Sequence, residues 1–172
     1  MMNAEEWILR EDFLNQKDRI KRLLWLGDQT PSNDFWIFHG GFVTKSLFEE
    51  ARYCFVYGQY LATITLGLSF LEHTMASIHY ATGRDDLEHA SISNLMKESL
   101  SKGWINKNEY DHLGKERELR NRILHFRNPG DEDTIEFIAI TENESPYSLL
   151  EVEAHFVMKT MFHFLNNFSE RF

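Results

Sequence analysis

Residues 59–82 read QYLATITLGLSFLEHTMASIHYAT, and this segment predicts the central helix of an all-α protein. It overlaps an uncharged run over residues 53–71, whose length approaches the about 20 residues needed to span a bilayer. Polar and small residues dilute that run, so a helix buried in a protein core is the favoured interpretation. The alternation of Thr63, Ile64 and Thr65 is typical of a strand, yet the length of the segment and its series of large apolar residues favour a helix. That series is Leu66, Phe70, Met75 and Ile78.

Capping signals predict further helices on both sides of this segment. Those helices run from Asn3 to about Leu26, from Ser46 (with Glu49) to the break at Gly58, from Ser93 to Ser101, from Asn106 to about Arg127, and from Ser145 to about Phe168. Residues 27–41 are predicted as a loop, and residues 128–130 as a turn. Residues 131–144 are acidic with apolar residues between, and we expect a short extended segment or a hairpin near 134–141. The whole is predicted as an all-α bundle of five to six helices in a single domain over residues 1–172.

The chain has 172 residues and a formal net charge of −9, which fits one domain and disfavours a broad nucleic-acid-coating surface. The charge is uneven, because residues 102–127 carry a net +3 and residues 131–172 a net −7. A small phosphate site in the basic segment is therefore compatible with the acidic total. Cys54 is the single cysteine, which excludes an internal disulfide. Charges near the start interrupt any apolar signal segment, and we expect a cytoplasmic protein with no membrane partner.

The sequence RNRILH at residues 120–125 lies near the end of the helix predicted from Asn106 and carries the candidate chemistry. At about 100° per residue, an apolar and a polar face alternate along this helix. The apolar face consists of Leu119, Ile123 and Phe126, and the polar face of Arg117, Asn121 and His125. Arg120 flanks the polar face. A cation, an amide and an imidazole in one patch suit phosphodiester binding and cleavage, since arginine binds phosphate bidentately and histidine transfers protons near neutral pH.

The segment around RNRILH resembles the HEPN family, small helical domains found in RNases of toxin and antiviral systems. The family motif is an arginine, a polar residue, about three variable residues and a histidine near the end of a long helix. Arg120, Asn121 and His125 fit this pattern. Upstream residues that also match are Ala51, Gly58, Ala62, Gly67, Leu71, Glu72, Leu95, Met96 and Leu113. The resemblance covers about residues 46–128 and leaves residues 1–45 as an N-terminal helical extension.

The resemblance implies a metal-independent endoribonuclease without a cofactor, usually a homodimer with a composite active site. Arg120, Asn121 and His125 would be catalytic, and the neighbouring arginines would bind RNA. Those candidate substrate-binding residues are Arg117, Arg122 and Arg127. Attack by a ribose 2′-OH needs both a base and an acid, which two copies of His125 could supply, and the expected product is a 2′,3′-cyclic phosphate. A toxin or effector of a defence or toxin–antitoxin system would fit this activity, with an antitoxin or a nucleotidyltransferase-like protein as a possible partner.

Other interpretations remain open from the sequence. The motif helix could be a solvated face in which Glu116 pairs with Arg120 and Glu118 pairs with Arg122. A HEPN-like domain could also be a non-catalytic module that binds RNA, nucleotide or a protein partner, since function depends on the site rather than the fold.

Two further patterns in the sequence are discounted as functional sites. Arg84 and His89 repeat the spacing of the motif, but the three carboxylates between them would repel a phosphate. Glu109 with His112 is the single Glu-x-x-His pair, whereas helical metal sites usually combine two, so we expect no metal site.

Overall fold

The computed structural model describes residues 3–30, 36–128 and 130–168, and this part of the chain is all-helical, as predicted. Seven α-helices follow one another within the described residues, rather than the five or six expected. They are α1 (Ala4–Gln29), α2 (Gly41–Val56), α3 (Tyr60–Ala81), α4 (Ile92–Ser101), α5 (Lys107–Leu124), α6 (Ile135–Glu142) and α7 (Pro146–Phe168), with a 3₁₀ turn at Asp85–Leu87.

Both predicted capping boxes are present and begin α1 and α5. The Asn3 side chain accepts a hydrogen bond from the backbone N–H of Glu6 at 2.8 Å, and Glu6 accepts one from the backbone of Asn3. Asn106 and Glu109 repeat this exchange at the start of α5. These reciprocal bonds satisfy backbone donors that have no partner within the helix, which is why the helix starts could be read from the sequence.

The predicted start of the second helix at Ser46 is wrong, because α2 already begins at Gly41 and Ser46 lies inside it. Gly40 and Gly41 both have positive φ, at 85° and 70°, so the chain turns there with a conformation that glycine tolerates best. The predicted loop over 27–41 is shorter than expected, since α1 continues to Gln29. Its residues 31–35, and residue 129 of the predicted turn, lie outside the described part of the chain.

The extended segment expected near 134–141 is also wrong, because these residues form helix α6. The Thr134 hydroxyl accepts a hydrogen bond from the backbone N–H of Phe137 at 3.2 Å and caps the helix start. Asn143 ends the helix in the left-handed region, with φ of 56°. Ile135, Ile138 and Ala139 have helical spacing, and Ala139 is buried where α6 packs on α7. Burial of this short apolar face stabilises a helix despite the surrounding acidic residues.

The helix predicted at the centre of the fold is confirmed as α3, which packs chiefly against α2 and α7 and also contacts α4 and α5. Its apolar side chains lie inside the core, with Phe70 fully buried beside Phe48 of α2. Gly67 lets α7 approach closely, because a Cβ at this position would overlap Val157 and lie 2.9 Å from the Met161 sulfur. By length and composition α3 could cross a membrane, although half of its most apolar window is buried here and core helices pass the same test.

Helix α1 is attached to the bundle mainly through its C-terminal third, where Arg22 and Leu26 are its buried residues. Arg22 Nε donates to the carbonyl of Val56 at 2.9 Å, and Nη1 donates to the Tyr60 hydroxyl at 2.9 Å. Tyr60 in turn donates to Glu151 Oε1 at 2.5 Å. Burial and the bond to Glu151 raise the pKa of Tyr60 above its ordinary range. This network ties α1 to the N-terminal ends of α3 and α7.

Candidate functional site

Helix α5 ends at Leu124, three residues earlier than predicted, and the chain leaves the helix at His125. Its backbone is extended, with φ of −119° and ψ of 133°, although its N–H still donates to the Asn121 carbonyl at 3.2 Å. The helical face expected for Leu119, Ile123 and Phe126 therefore breaks, and Phe126 is 88% exposed instead of packed. The His125 side chain is also exposed and forms no hydrogen bond or ion pair with the described residues.

A shallow groove of about 280 Å³ lies beside His125, between the end of α5, the start of α3 and the start of α6. Its lining includes His125, Arg122, Arg127, Glu136 and Leu61. Three of the six predicted site residues, His125, Arg122 and Arg127, therefore meet at one place. Two guanidinium groups beside an imidazole are suited to an anion such as phosphate.

The two arginines of the groove differ in how much of their hydrogen-bonding capacity is already used within the chain. Arg122 Nη1 donates to the carbonyl of Asp133 at 2.6 Å, and its Nε donates to the carbonyl of Glu118 at 3.4 Å. Arg122 thus joins α5 to the segment before α6 and has part of its hydrogen-bonding capacity in use. Arg127 is exposed and forms no hydrogen bond or ion pair with the described residues. Arg127 is consequently the more available of the two for an external anion.

Arg120 and Arg117 do not line this groove. Arg120 lies against α3, where its Nη1 is 3.7 Å from Glu72 Oε2, and its side chain is 20% exposed. Its Nε is buried without a hydrogen-bond partner among the described residues. Arg117 is half-buried and lies 4.0 Å from Glu118, while Asn121 is exposed. Within one chain, the predicted residues thus divide into a group at the groove and a group along the flank of α5.

The ion pairs expected on a solvated motif helix are not formed. Arg120 pairs with Glu72 instead of Glu116, and Arg122 bonds to the backbone of Glu118 rather than to its carboxylate. The reason is that α5 turns Glu116 and Arg120 toward the bundle, where tertiary partners replace the neighbours one turn away. Helix spacing alone does not reveal this orientation.

Glu116 is an unexpected buried carboxyl group, with 2% of the residue exposed. Burial raises its pKa to about 10, and a hydrogen bond to Glu153 of α7 adds to the shift. Its Oε2 has no hydrogen-bond partner in the described structure. Glu116 is therefore protonated at neutral pH, and the neutral acid can donate to the Glu153 carboxylate.

A larger cavity, of about 710 Å³, has Glu72 in its lining. Its lining includes three histidines, His39, His73 and His89, together with Glu72 and Glu88. Sequence reasoning missed this cavity, although the Glu72–His73 pair inside the apolar α3 was an available signal. Since Glu72 also contacts Arg120, the cavity borders the flank of the motif helix.

Arg84 and His89, the second arginine–histidine pair, are not assembled for phosphate binding. Arg84 donates to Asp86 and to Glu98, each at 2.8 Å. The bond to Asp86, followed by that to Glu98, raises the pKa of Arg84. Its guanidinium is thus satisfied by carboxylates of the same chain.

The described residues contain no group of three or more histidine, cysteine, aspartate or glutamate side chains that could hold a metal ion. Glu109, from the single Glu-x-x-His pair, lies 3.6 Å from His163 of α7. His155 packs edge-on against Trp25 and Phe55, at 4.6 and 4.7 Å between ring centres. These histidines therefore have structural neighbours in the bundle.

Comparison of the chain with protein-family models, with curated proteins and with solved structures finds no match.

Proposed function

We propose that this protein is a metal-independent endoribonuclease of the HEPN type, with His125 as its proton-transferring residue. One observation carries the proposal: His125 is exposed, has no partner among the described residues, and shares a groove with Arg122 and Arg127 at the end of the basic helix α5. An RNA strand can bind there although the whole chain has a net charge of −9, because residues 102–127 carry a net +3. RNA as substrate also fits the expected cytoplasmic location and the expected role as a toxin or defence effector.

The proposed reaction is transesterification within the RNA chain. A neutral histidine takes the proton of the ribose 2′-OH, and the 2′ oxygen forms a bond to phosphorus. The bond from phosphorus to the 5′ oxygen breaks, and a protonated histidine gives its proton to that oxygen. The products are a 2′,3′-cyclic phosphate and a 5′-OH end. Arg127, with Arg122, would neutralise charge on the phosphate oxygens in the transition state.

For Arg120 to contact RNA, it must exchange its partner Glu72 for a phosphate, or a second chain must complete the site. In one chain its guanidinium faces Glu72, so it would reach RNA by leaving this carboxylate for a phosphate. In the proposed homodimer, two α5 helices would supply two copies of His125, one as base and one as acid. Asn121, which is exposed, and Arg117, which is half-buried, lie on the same helix and would position the strand.

The test is cleavage of a labelled RNA by purified protein in the presence of EDTA. His125→Ala is expected to lower the rate by about 10²-fold or more, in the range of lost general acid–base catalysis. His89→Ala is the matched control, because this histidine is exposed and has the same sequence spacing to an arginine. The proposal fails if EDTA abolishes cleavage, if the 3′ ends are hydroxyls, or if His89→Ala and His125→Ala behave alike.

A non-catalytic RNA-binding or partner-binding module is the second candidate, and the Arg120–Glu72 pair favours it. A guanidinium that is paired with a carboxylate of its own chain is less available to stabilise a phosphate in the transition state than an unpaired one. Under this alternative, wild-type protein binds RNA in a salt-dependent manner without cutting it. Glu72→Gln separates the two candidates: releasing Arg120 raises cleavage if the protein is an enzyme, and raises only binding if it is a module.

A further inference from the structure

Phe126 is the most exposed large apolar residue among the described residues, and it belongs to the lining of the His125 groove. It is 88% exposed and directly follows His125 in the chain. The same lining contains the apolar residues Leu61, Ile123 and Ile135. An aromatic ring beside cationic side chains is the arrangement on which the bases of single nucleic-acid strands stack. The Phe126 ring is therefore available to a flat ligand that enters the groove.

The groove offers two kinds of surface to such a ligand. Arg122, His125 and Arg127 suit a phosphate, whereas Phe126 and its apolar neighbours suit the flat face of a base. A nucleotide has both parts, joined by a ribose. The volume of about 280 Å³ is below the range of most small-molecule sites, so a single nucleotide would contact most of the lining. The groove therefore matches one nucleotide of a strand.

Glu136, at the start of α6, supplies the one carboxylate in the lining of this groove. It is exposed, and its carboxylate forms no hydrogen bond or ion pair with the described residues, although Arg122 and Arg127 share the groove. An ionised carboxylate accepts hydrogen bonds and donates none. It therefore favours a base edge that presents donors and disfavours an edge that presents acceptors.

The Watson–Crick edges of the four RNA bases differ in what they offer to a carboxylate. Guanine presents two adjacent donors, the N1–H and the N2 amino group, which match the two carboxylate oxygens. Adenine and cytosine each present one amino donor next to a ring nitrogen that accepts. Uracil presents one N–H between two carbonyl oxygens. Guanine is thus the base whose edge forms two charge-assisted hydrogen bonds with Glu136.

We propose that the His125 groove contains a subsite for an unpaired guanine next to the phosphate that is cleaved. Phe126 stacks on the base, and Glu136 accepts hydrogen bonds from its N1–H and N2 amino group. The guanine has to be unpaired, because Glu136 occupies its Watson–Crick edge. This inference rests on the proposed function only in taking RNA as the ligand of the groove, and it adds the base preference of that site.

Binding is measured apart from cleavage with fluorescein-labelled 2′-O-methyl hexanucleotides, which lack the attacking hydroxyl. The three sequences are UUGUUU, UUAUUU and UUUUUU, and fluorescence anisotropy at one fixed salt concentration gives the affinities. Wild-type protein is expected to bind the guanine hexamer about 10-fold more tightly than the other two. Inosine in place of guanine lacks the N2 amino group and is expected to remove most of this preference.

Substitutions at the two residues separate stacking from recognition of the base edge. Phe126→Ala is expected to weaken binding of all three hexamers by about 10-fold, because stacking does not depend on the base, and Phe126→Trp should retain binding. Glu136→Gln should abolish the guanine preference, because its amide replaces one acceptor by a donor. Phe42→Ala and Glu118→Gln are the matched controls, since Phe42 is 82% exposed, the Glu118 side chain is 66% exposed, and both lie outside the groove.

Equal affinity of the wild type for the three hexamers, or unchanged affinity in Phe126→Ala, overturns the subsite. An equal loss of preference in Glu118→Gln and Glu136→Gln overturns the role of Glu136. The outcome for the ribonuclease is separate. Guanine-selective binding through Phe126 without cleavage of ordinary RNA supports the subsite and refutes the enzyme, whereas cleavage without any base preference supports the enzyme and refutes the subsite.

Discussion

Replacement of Glu116 by glutamine should stabilise the protein and change how its stability depends on pH. Glu116 is 2% exposed and bonded to Glu153, and burial holds it in the protonated form. In the unfolded chain the same carboxyl ionises at its ordinary pKa. The folded state therefore binds one more proton than the unfolded state at neutral pH. Under this condition the free energy of unfolding falls as the pH rises.

The size of the effect follows from the two pKa values. The pKa of Glu116 rises from 4.5 to about 10 on folding, so its contribution falls by about 1.4 kcal/mol per pH unit between those values. At pH 7 the accumulated loss is about 3 kcal/mol. Glutamine has the shape of the protonated acid and does not ionise. The variant should therefore be more stable than the wild type by up to about 3 kcal/mol at pH 7, and by little near pH 5.

Urea unfolding of both proteins, at one fixed protein concentration and over a series of pH values, measures this difference. Subtracting the two curves removes the titrations that the proteins share. Glu118→Gln is the control, because its side chain is 66% exposed on the same helix, and its effect should stay within about 0.5 kcal/mol. If Glu116→Gln destabilises the protein at pH 7 and the difference does not change with pH, Glu116 is ionised in the fold and the reasoning is refuted.

Two other substitutions follow from the packing of the bundle. Gly67→Ala should lower the free energy of unfolding by about 1–3 kcal/mol, because the added Cβ overlaps Val157. Gly114→Ala is the control: its Cβ would meet open space, so this change should raise the free energy of unfolding by up to about 1 kcal/mol. Equal effects of the two substitutions in thermal unfolding would contradict the close approach of α3 and α7. Burial lowers the pKa of His155 below 6.5, so the unfolded state binds more protons and stability is lost as the pH falls below that value. His155→Phe keeps the packing on Trp25, and its free energy of unfolding should fall less steeply than that of the wild type as the pH is lowered. Identical pH dependence of the two proteins in acid would show that His155 does not contribute to acid unfolding.

The sequence was informative where a short segment controls its own conformation. The boxes Asn3–Glu6 and Asn106–Glu109 satisfy local backbone donors, and the apolar series in 59–82 marks the central helix, so both could be read directly. Helix α6 was missed because its acidic neighbours obscured an apolar face that α7 covers.

The candidate site was predictable in its residue types but not in its grouping. Arg120 meets Glu72, which is 48 positions away in the sequence, and this contact depends on how α5 packs on α3. His125 leaves the helix, so the helical wheel that placed it beside Asn121 does not apply to its side chain. Both outcomes arise from tertiary packing, which helical periodicity does not encode.

Helix α1 is anchored through its C-terminal third, where Arg22 and Leu26 are buried and Trp25 packs on Phe55 and His155. An isolated helical segment is marginally stable in water, and the part of α1 before Arg22 contributes no buried residue to the bundle. This first part of α1 should therefore open without unfolding of the bundle. Amide hydrogens of residues 5–18 should then exchange faster than those of residues 22–26.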